Sequence, residues 1–213
     1  MELQLSSIIK YAWATYKKHW KVWAILVSII LIINAISITF GHHPATTKAP
    51  AYGFVWVDVI TFIVSFVLTI LVIKTAIAHI RDEKISLGTV LQGLGWRQYL
   101  YYVLASLLMV LGVLVGLIFF IIPGVILTLA WIFTLYLILD QKSGIIESFK
   151  RSYHLTYGHK WDVLGLVFLM IVINILGALA FIVGLFISLP ITYLAQARMY
   201  DLYLSGASSH KDK

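Results

Sequence analysis

The chain has 213 residues, of which 61% are hydrophobic and only 12% are charged, whereas soluble domains are about half apolar and about a quarter charged. It contains no cysteine, which excludes disulfide frameworks, thiolate zinc sites and cysteine nucleophiles. The formal net charge is +7. In a chain this apolar, we interpret that charge as a determinant of membrane orientation and expect no nucleic-acid partner.

Six apolar segments are candidates for transmembrane helices, since about 20 apolar helical residues cross a bilayer. In chain order they are 22–40, 54–73, 99–121, 125–139, 163–181 and 185–203. Backbone groups in lipid must be satisfied internally, and no period-2 alternation favours a barrel, so these segments are predicted to be helices. The predicted fold is an all-α, polytopic transmembrane helical bundle, a single integral membrane domain over 1–213 with a short polar tail at 205–213.

The positive residues are distributed unevenly along the chain. Fifteen of the sixteen Lys and Arg fall in the N-terminal segment, in 74–97, in 142–160 and from Arg198 onward, and only Lys48 falls on the opposite side. Under the positive-inside rule, both termini are predicted to be cytoplasmic in a multi-pass protein of the cell (inner or plasma) membrane.

A segment with helical spacing of apolar residues precedes each predicted hairpin. The clearest begins at Ser143 as N-cap and ends at Gly158, with Glu147 in its first turn. Its predicted apolar face consists of Ile145, Ile146, Phe149 and Tyr153. Two weaker segments have apolar residues at helical spacing: Ile8, Tyr11, Trp13 and Tyr16 in the first, and Leu87, Val90, Leu91 and Leu94 in the second.

An anchoring tryptophan follows each segment, at Trp20, Trp96 and Trp161. The six spans are therefore predicted to form three hairpins, each preceded by a cytoplasmic amphipathic helix, with candidate repeats at 1–82, 83–141 and 142–204. The alternative is that this periodicity reflects only hydrophobic hairpins with interfacial tryptophan.

Polar side chains inside the spans are costly and are candidate functional residues. Asn34 and Asn174 each lie deep in the first span of a predicted hairpin, where a helix-packing hydrogen bond is favoured over a substrate site. Asp58 is interpreted as an interface residue, with a proton or cation site as the alternative. Arg198, with Asp201 three residues later, is interpreted as a membrane anchor.

No catalytic residue, metal site or cofactor is predicted, because no known catalytic or nucleotide-binding motif occurs in a credible context. The histidines do not bring three or four ligands together: His42 and His43 lie in an outer loop, and His154 and His159 flank a surface helix. The chain is therefore predicted not to be an enzyme.

Glycines and one proline are predicted to shape the hairpins. Pro123 and Gly124 are assigned to a tight turn, and Gly158 lets the chain turn into the fifth span. Close helix packing is predicted at Gly112, Gly116, Gly177 and Gly184.

Basic residues of the surface segments are predicted to face phospholipid headgroups or a partner protein, since each contributes about 1 kcal/mol near an anionic leaflet. The candidates are Lys17, Lys18, Lys150, Arg151 and Ser152. The expected partners are membrane phospholipids and, as a further candidate, another membrane protein or a second copy.

The function hypothesis is a non-enzymatic protein that organises lipids or a partner protein at the cytoplasmic leaflet. The alternative is a small transporter or permease component, motivated by Asn34, Asn174 and Asp58.

The stretch from Ile122-Pro123-Gly124 through Asp140 to the segment 143–159 resembles the glycerophosphoryl diester phosphodiesterase membrane-domain family and the related YciC-like inner-membrane proteins. The shared pattern is a Pro-Gly turn, a span ending in an acidic residue, and a surface helix ending in Leu-Thr-x-Gly-His. Asp140 stands where that family usually has Glu. The resemblance implies a membrane module with a role in membrane or envelope homeostasis. It supplies no catalytic residues, because the phosphodiesterase activity of fused members resides in a separate soluble domain.

Overall fold

The computed structural model describes residues 5–41, 52–83, 95–119 and 121–209, and these residues form helices without any strand. The eight helices are α1 Leu5–Gly41, α2 Tyr52–Ile80, α3 Trp96–Phe119, α4 Ile121–Ala130, α5 Thr134–Gln141, α6 Ile145–Thr156, α7 Lys160–Leu179 and α8 Phe181–Ser209. The all-α prediction is confirmed. The predicted surface segment with Leu87, Val90, Leu91 and Leu94, and the loop with His42, His43 and Lys48, lie outside the described residues.

Five helical segments are long and apolar enough to cross a membrane. They are Leu5–Ile36, Val59–Ile80, Trp96–Ile118, Ile122–Gln141 and Lys160–Leu179. The predicted sixth span, 185–203, lies within α8, a continuous helix of 29 residues that is not among the five. Helix α8 packs along α1, α2 and α7.

The predicted span 125–139 is not one helix. Helix α4 ends at Ala130 and α5 begins at Thr134, with the backbone N–H of Thr134 donating to the carbonyl of Trp131 at 3.0 Å. A turn at residues 131–133 therefore divides the helix within this span. The break is held by side chains from elsewhere in the chain, which a local pattern does not reveal.

The boundaries of α6 confirm one predicted signal and correct another. Gly144 occupies the N-cap position and no side chain caps the helix, so the prediction of Ser143 as N-cap is wrong. Ser143 instead accepts a hydrogen bond from Arg151 at 3.3 Å. The prediction for Gly158 is confirmed, because its φ of +82° is a conformation that favours glycine where the chain turns into α7.

The two ends of the bundle are packed differently. At one, which we call the Arg81 end, the start of α1 meets the ends of α2, α5 and α8. Large side chains in this half are almost fully buried, among them Trp23, Phe133, Leu166, Leu194 and Met199. At the opposite end, the hairpin end, large apolar side chains are exposed on several helices, among them Ile32, Ile36, Ile60, Phe62, Ile118 and Leu179.

Paired glycines bring helices together at the hairpin end. A Cβ on Gly116 would lie 2.9 Å from the Cα of Gly124, and one on Gly184 would overlap the carbonyl of Gly177. These contacts fit the prediction that the four glycines allow close packing. Pro123 and Gly124, however, lie in the first turn of α4 and not in the turn before it, consistent with the tolerance of proline at helix starts.

Candidate functional site

A cluster of charged side chains joins three helices at the Arg81 end. Arg81 follows the last residue of α2, and its two terminal nitrogens donate to the Asp140 carboxylate of α5 at 2.7 and 3.0 Å. Its Nε donates to Asp201 of α8 at 2.9 Å. Hydrogen bonds to Asp140 and then to Asp201 raise the pKa of Arg81 above its ordinary value, so the guanidinium is always charged.

Arg198 and Tyr11 extend this cluster to α1. One terminal nitrogen of Arg198 lies 3.9 Å from Asp201, and its guanidinium carbon lies 4.2 Å from the ring centroid of Tyr11. The Tyr11 hydroxyl donates to the carbonyl of Ile80 at 3.1 Å. Of the polar residues that the sequence singled out within the spans, Arg198 and Asp201 lie in this cluster. Its four charged members are Arg81, Asp140, Arg198 and Asp201.

The pairing of Arg81 with Asp140 is not predicted from the sequence. Arg81 was counted only as loop charge, and Asp140 was noted only for its place in the family pattern. They are 59 residues apart, and no local spacing relates them. The charge of Asp140 at the end of an apolar span was the one available signal, because such a carboxylate needs a partner.

The break between α4 and α5 is held by hydroxyl groups of α6. Ser152 Oγ donates to the carbonyl of Ala130 at 2.8 Å and accepts from the N–H of Phe133 at 3.2 Å. Thr156, also fully buried, donates to the same carbonyl at 3.4 Å. Backbone groups freed by a broken helix must find partners in an apolar environment, and α6 provides them.

The expectation that Ser152 faces headgroups or a partner is therefore wrong. Its side chain is fully buried, as is that of Ser148 one turn earlier. The small hydroxyl residues form the inner face of α6 because their short side chains allow its backbone to approach the broken helix.

The outer face of α6 carries larger side chains. Ile146, Lys150, Tyr153 and Tyr157 are exposed and, spaced four, three and four residues apart, lie on one side of the helix; we call them the α6 stripe. Of the predicted apolar face, only Ile145 and Phe149 pack against the core, whereas Ile146 and Tyr153 point outward. The predicted face is thus divided between the core and the surface.

Arg151 lines a cleft beside α6. The cleft has a volume of about 600 Å³ and is lined by residues that include Gln141, Arg151, His154, Leu155, Asp201 and Leu204. Arg151 donates to Ser143 at 3.3 Å and lies 3.8 Å from Glu147. Asp201, on the same cleft, is already paired with Arg81 at 2.9 Å, so Arg151 has only its longer contacts with Ser143 and Glu147 among the described residues.

The basic residues predicted on α1 have partners within the chain. Lys17 Nζ lies 5.1 Å from the centroid of the Trp13 ring. Lys18 pairs with Asp82, which follows α2 with a φ of +56°. The hydrogen bond and the charge of Lys18 lower the pKa of Asp82. Lys150 of α6 is exposed, as Lys17 and Lys18 are.

The two intramembrane asparagines differ. Asn174 Nδ2 donates to Thr192 of α8 at 2.9 Å and to Met170 of its own helix at 2.8 Å, as the helix-packing interpretation predicts. Asn34 is exposed, and its Nδ2 donates only to Ile30 of its own helix, at 2.8 Å. Asp58 lies within α2, but its side chain is outside what the structure describes.

Two histidines meet inside the Arg81 half. His19 lies at a kink in α1, and its ring stacks on that of His79 with centroids 4.1 Å apart. Among the described residues, no three His, Asp or Glu side chains lie close enough together to hold a metal ion.

No protein-family model, curated protein or solved structure matches this chain. The resemblance over residues 122–159 therefore stays a prediction. The function must be inferred from the chain's own geometry.

Proposed function

We propose that this chain is a non-enzymatic, six-span protein of the cell membrane that gathers anionic phospholipids at the cytoplasmic leaflet, through the α6 stripe and the neighbouring Arg151 cleft. In this arrangement both termini and the Arg81 end are cytoplasmic. The observation that carries the proposal is the orientation of α6, which buries its hydroxyl face and exposes apolar, aromatic and basic side chains.

The α6 stripe has the composition of a membrane interface. Tyrosine has an apolar ring and a polar hydroxyl, which suits the headgroup region. Ile146, 72% exposed, would be costly to keep in water but can enter the acyl boundary. Lys160 Nζ lies 5.6 Å from the Tyr153 ring centroid, and Trp161 is 83% exposed, so the same chemistry continues into the start of α7.

The cleft adds a group suited to phosphate. Arginine binds phosphate through paired N–H donors, and Arg151 makes only long contacts within the chain. The apolar parts of Leu155 and Leu204 line the same cleft. A phospholipid headgroup with its first acyl carbons fits this combination of one cation and an apolar wall.

The transporter alternative has less support. It was motivated by Asn34, Asn174 and Asp58, and the Asn174 nitrogen is already hydrogen-bonded to Thr192. Charged side chains at the Arg81 end are likewise paired with one another.

The test is lipid enrichment in nanodiscs that contain equal amounts of phosphatidylglycerol and phosphatidylcholine. We expect native mass spectrometry to show retained phosphatidylglycerol on the wild type, reduced about tenfold or more in Lys150→Gln/Arg151→Gln, since each basic residue contributes about 1 kcal/mol. Lys48→Gln removes one charge from the side of the membrane opposite to the predicted cytoplasmic side and is expected to leave the enrichment unchanged.

Equal enrichment in the wild type and the double variant would refute the proposal. Recovery of a stoichiometric protein partner that is lost in the double variant, with no lipid preference, would instead assign α6 to protein recognition.

A further inference from the structure

Asn34 is an exposed amide on an otherwise apolar stretch of α1. Its nitrogen donates one hydrogen bond, to the carbonyl of Ile30. A primary amide has two donors and an acceptor oxygen, so one donor and the oxygen have no partner among the described residues. Asn34 stands 12 residues after Val22 and 6 before Phe40, about 18 Å and about 9 Å along a helix axis. Hydrocarbon at this depth offers no hydrogen-bonding group.

The face of α1 that carries Asn34 is the face by which the helix packs. Trp23 and Val27 are 1% and 2% exposed. They precede Asn34 by eleven and seven residues, so each lies within about 20° of it around the helix at about 100° per residue. Asn34 therefore continues the buried face of α1 into a region where the rest of the chain does not cover it.

Asn174 shows how this chain pairs the nitrogen of such an amide inside the fold. Asn174 reaches Thr192 on the adjacent helix at 2.9 Å. The outer half of α1 has no such neighbour for Asn34 among the described residues, which leaves the amide open to a partner from another molecule. That partner has to be apolar, with one hydrogen-bonding group at the same depth.

We propose that two copies of this chain associate through the outer half of α1, with the two Asn34 amides hydrogen-bonded to each other across the interface. A second copy in the same membrane has the same orientation, so its Asn34 lies at the same depth. An amide is self-complementary, since each side chain can donate and accept, and a two-fold axis produces an isologous interface. Ala35, exposed and small, allows the helices to approach closely.

The first test is resonance energy transfer between differently labelled copies of the full chain in phosphatidylcholine nanodiscs and liposomes, over a range of protein-to-lipid ratios. We expect the wild type to dimerise, and Asn34→Leu to weaken association about five- to thirtyfold, the range for interhelical amide hydrogen bonds in model peptides. Asn34→Gln keeps the amide and is expected to retain most of the association.

Asn174→Leu is the matched control, because it removes the same chemical group from a position already paired inside the chain. It is expected to lower the thermal unfolding temperature and leave the energy transfer unchanged. Asn34→Leu is expected to lower the energy transfer and leave the unfolding temperature unchanged. A wild type that stays monomeric at every ratio, or equal energy transfer in the wild type and Asn34→Leu, would overturn the proposal.

A second test uses the absence of native cysteine. Leu31→Cys lies about 60° from Asn34 around the helix and Ile32→Cys about 160°. With a copper-phenanthroline oxidant in liposomes, we expect disulfide-linked dimers from Leu31→Cys and few from Ile32→Cys. The opposite order of cross-linking would place a different face of α1 at the interface and would contradict the proposed pairing.

Discussion

The Arg81 end and the hairpin end of this bundle are held together by different forces. At the Arg81 end, charged side chains from α2, α5 and α8 bind one another at distances of 2.7 to 3.0 Å above a core of almost fully buried side chains. At the hairpin end, backbone contacts between glycines join α3 to α4 and α7 to α8, while large apolar side chains face outward.

Because of this difference, we expect the Arg81 end to determine the stability of the fold and the hairpin end to determine its association with lipid and with a second copy. The charged cluster leaves few unsatisfied groups and resists rearrangement, because removing one member strands the others in a poorly solvated site. The hairpin end exposes apolar surface and the Asn34 amide, which lipid and a second copy can cover. We therefore expect substitutions at the two ends to affect different measurements.

The largest effect is expected from Arg81→Gln. The change leaves Asp140, whose side chain is only 10% exposed, without its cation, and we expect a loss of about 3 kcal/mol of unfolding free energy. Intrinsic tryptophan fluorescence during heating in detergent would measure it. Arg81→Gln/Asp140→Asn should recover part of the loss, and a double variant no more stable than Arg81→Gln would show that the charge pair is not the cause.

At the hairpin end, Gly184→Ala is expected to cost about 1–3 kcal/mol, the usual range for overpacking. The added methyl group would overlap the Gly177 carbonyl, so α7 and α8 must move apart. Gly206→Ala, where nothing lies within 4 Å of the added carbon, is the matched control and should be neutral or slightly stabilising. Equal thermal stability of the two variants would contradict the close contact.

Ser152→Ala tests the link between α6 and the helix break. It leaves the carbonyl of Ala130 and the N–H of Phe133 without the Ser152 hydroxyl, with an expected loss of about 1–2 kcal/mol. Ser148→Ala is the control, because Ser148 is equally buried but its hydroxyl has no hydrogen-bond partner. Thermal unfolding should show a larger loss of stability in Ser152→Ala than in Ser148→Ala. A larger loss in Ser148→Ala would contradict the role assigned to Ser152.

The smallest effect is expected at the exposed Lys18–Asp82 pair. Lys18 lowers the pKa of Asp82, so the pair stabilises the fold above the ordinary aspartate pKa of about 3.9, and this contribution is lost as the pH falls through the lowered value. Lys18→Gln should lower the melting temperature slightly at pH 7 and by less at pH 3, and added salt should shrink the effect at pH 7. Lys17→Gln, beside Trp13, should show no such pH dependence.

Much of the fold follows from local composition. Apolar segments of span length predict long helices because a bilayer admits few other structures, and five of these segments are confirmed. Gly158 was also predictable, since its positive φ has a local cause in the turn after α6. The break at 131–133 was not, because its hydrogen bonds come from Ser152 and Thr156, about 20 residues farther along the chain.

The sequence predicts that α6 is amphipathic, but it does not predict which face packs against the core. Sequence alone placed Ser152 among headgroup-facing residues and Tyr153 on the apolar face, since serine is polar and tyrosine mostly carbon. The broken helix reverses both assignments: it needs hydroxyl donors inside, which draws Ser152 into the core and leaves Tyr153 outward.

The sequence by itself determined the helical class, the long apolar spans and the asymmetry of positive charge, because each depends on composition along a single segment. Tertiary structure decided which polar residues are partners. Arg81 with Asp140 and Asn174 with Thr192 are paired by packing between helices, and the same packing leaves Asn34 exposed. The two asparagines look alike in sequence, and among the described residues only the hydrogen bond from Asn174 to the neighbouring helix distinguishes them.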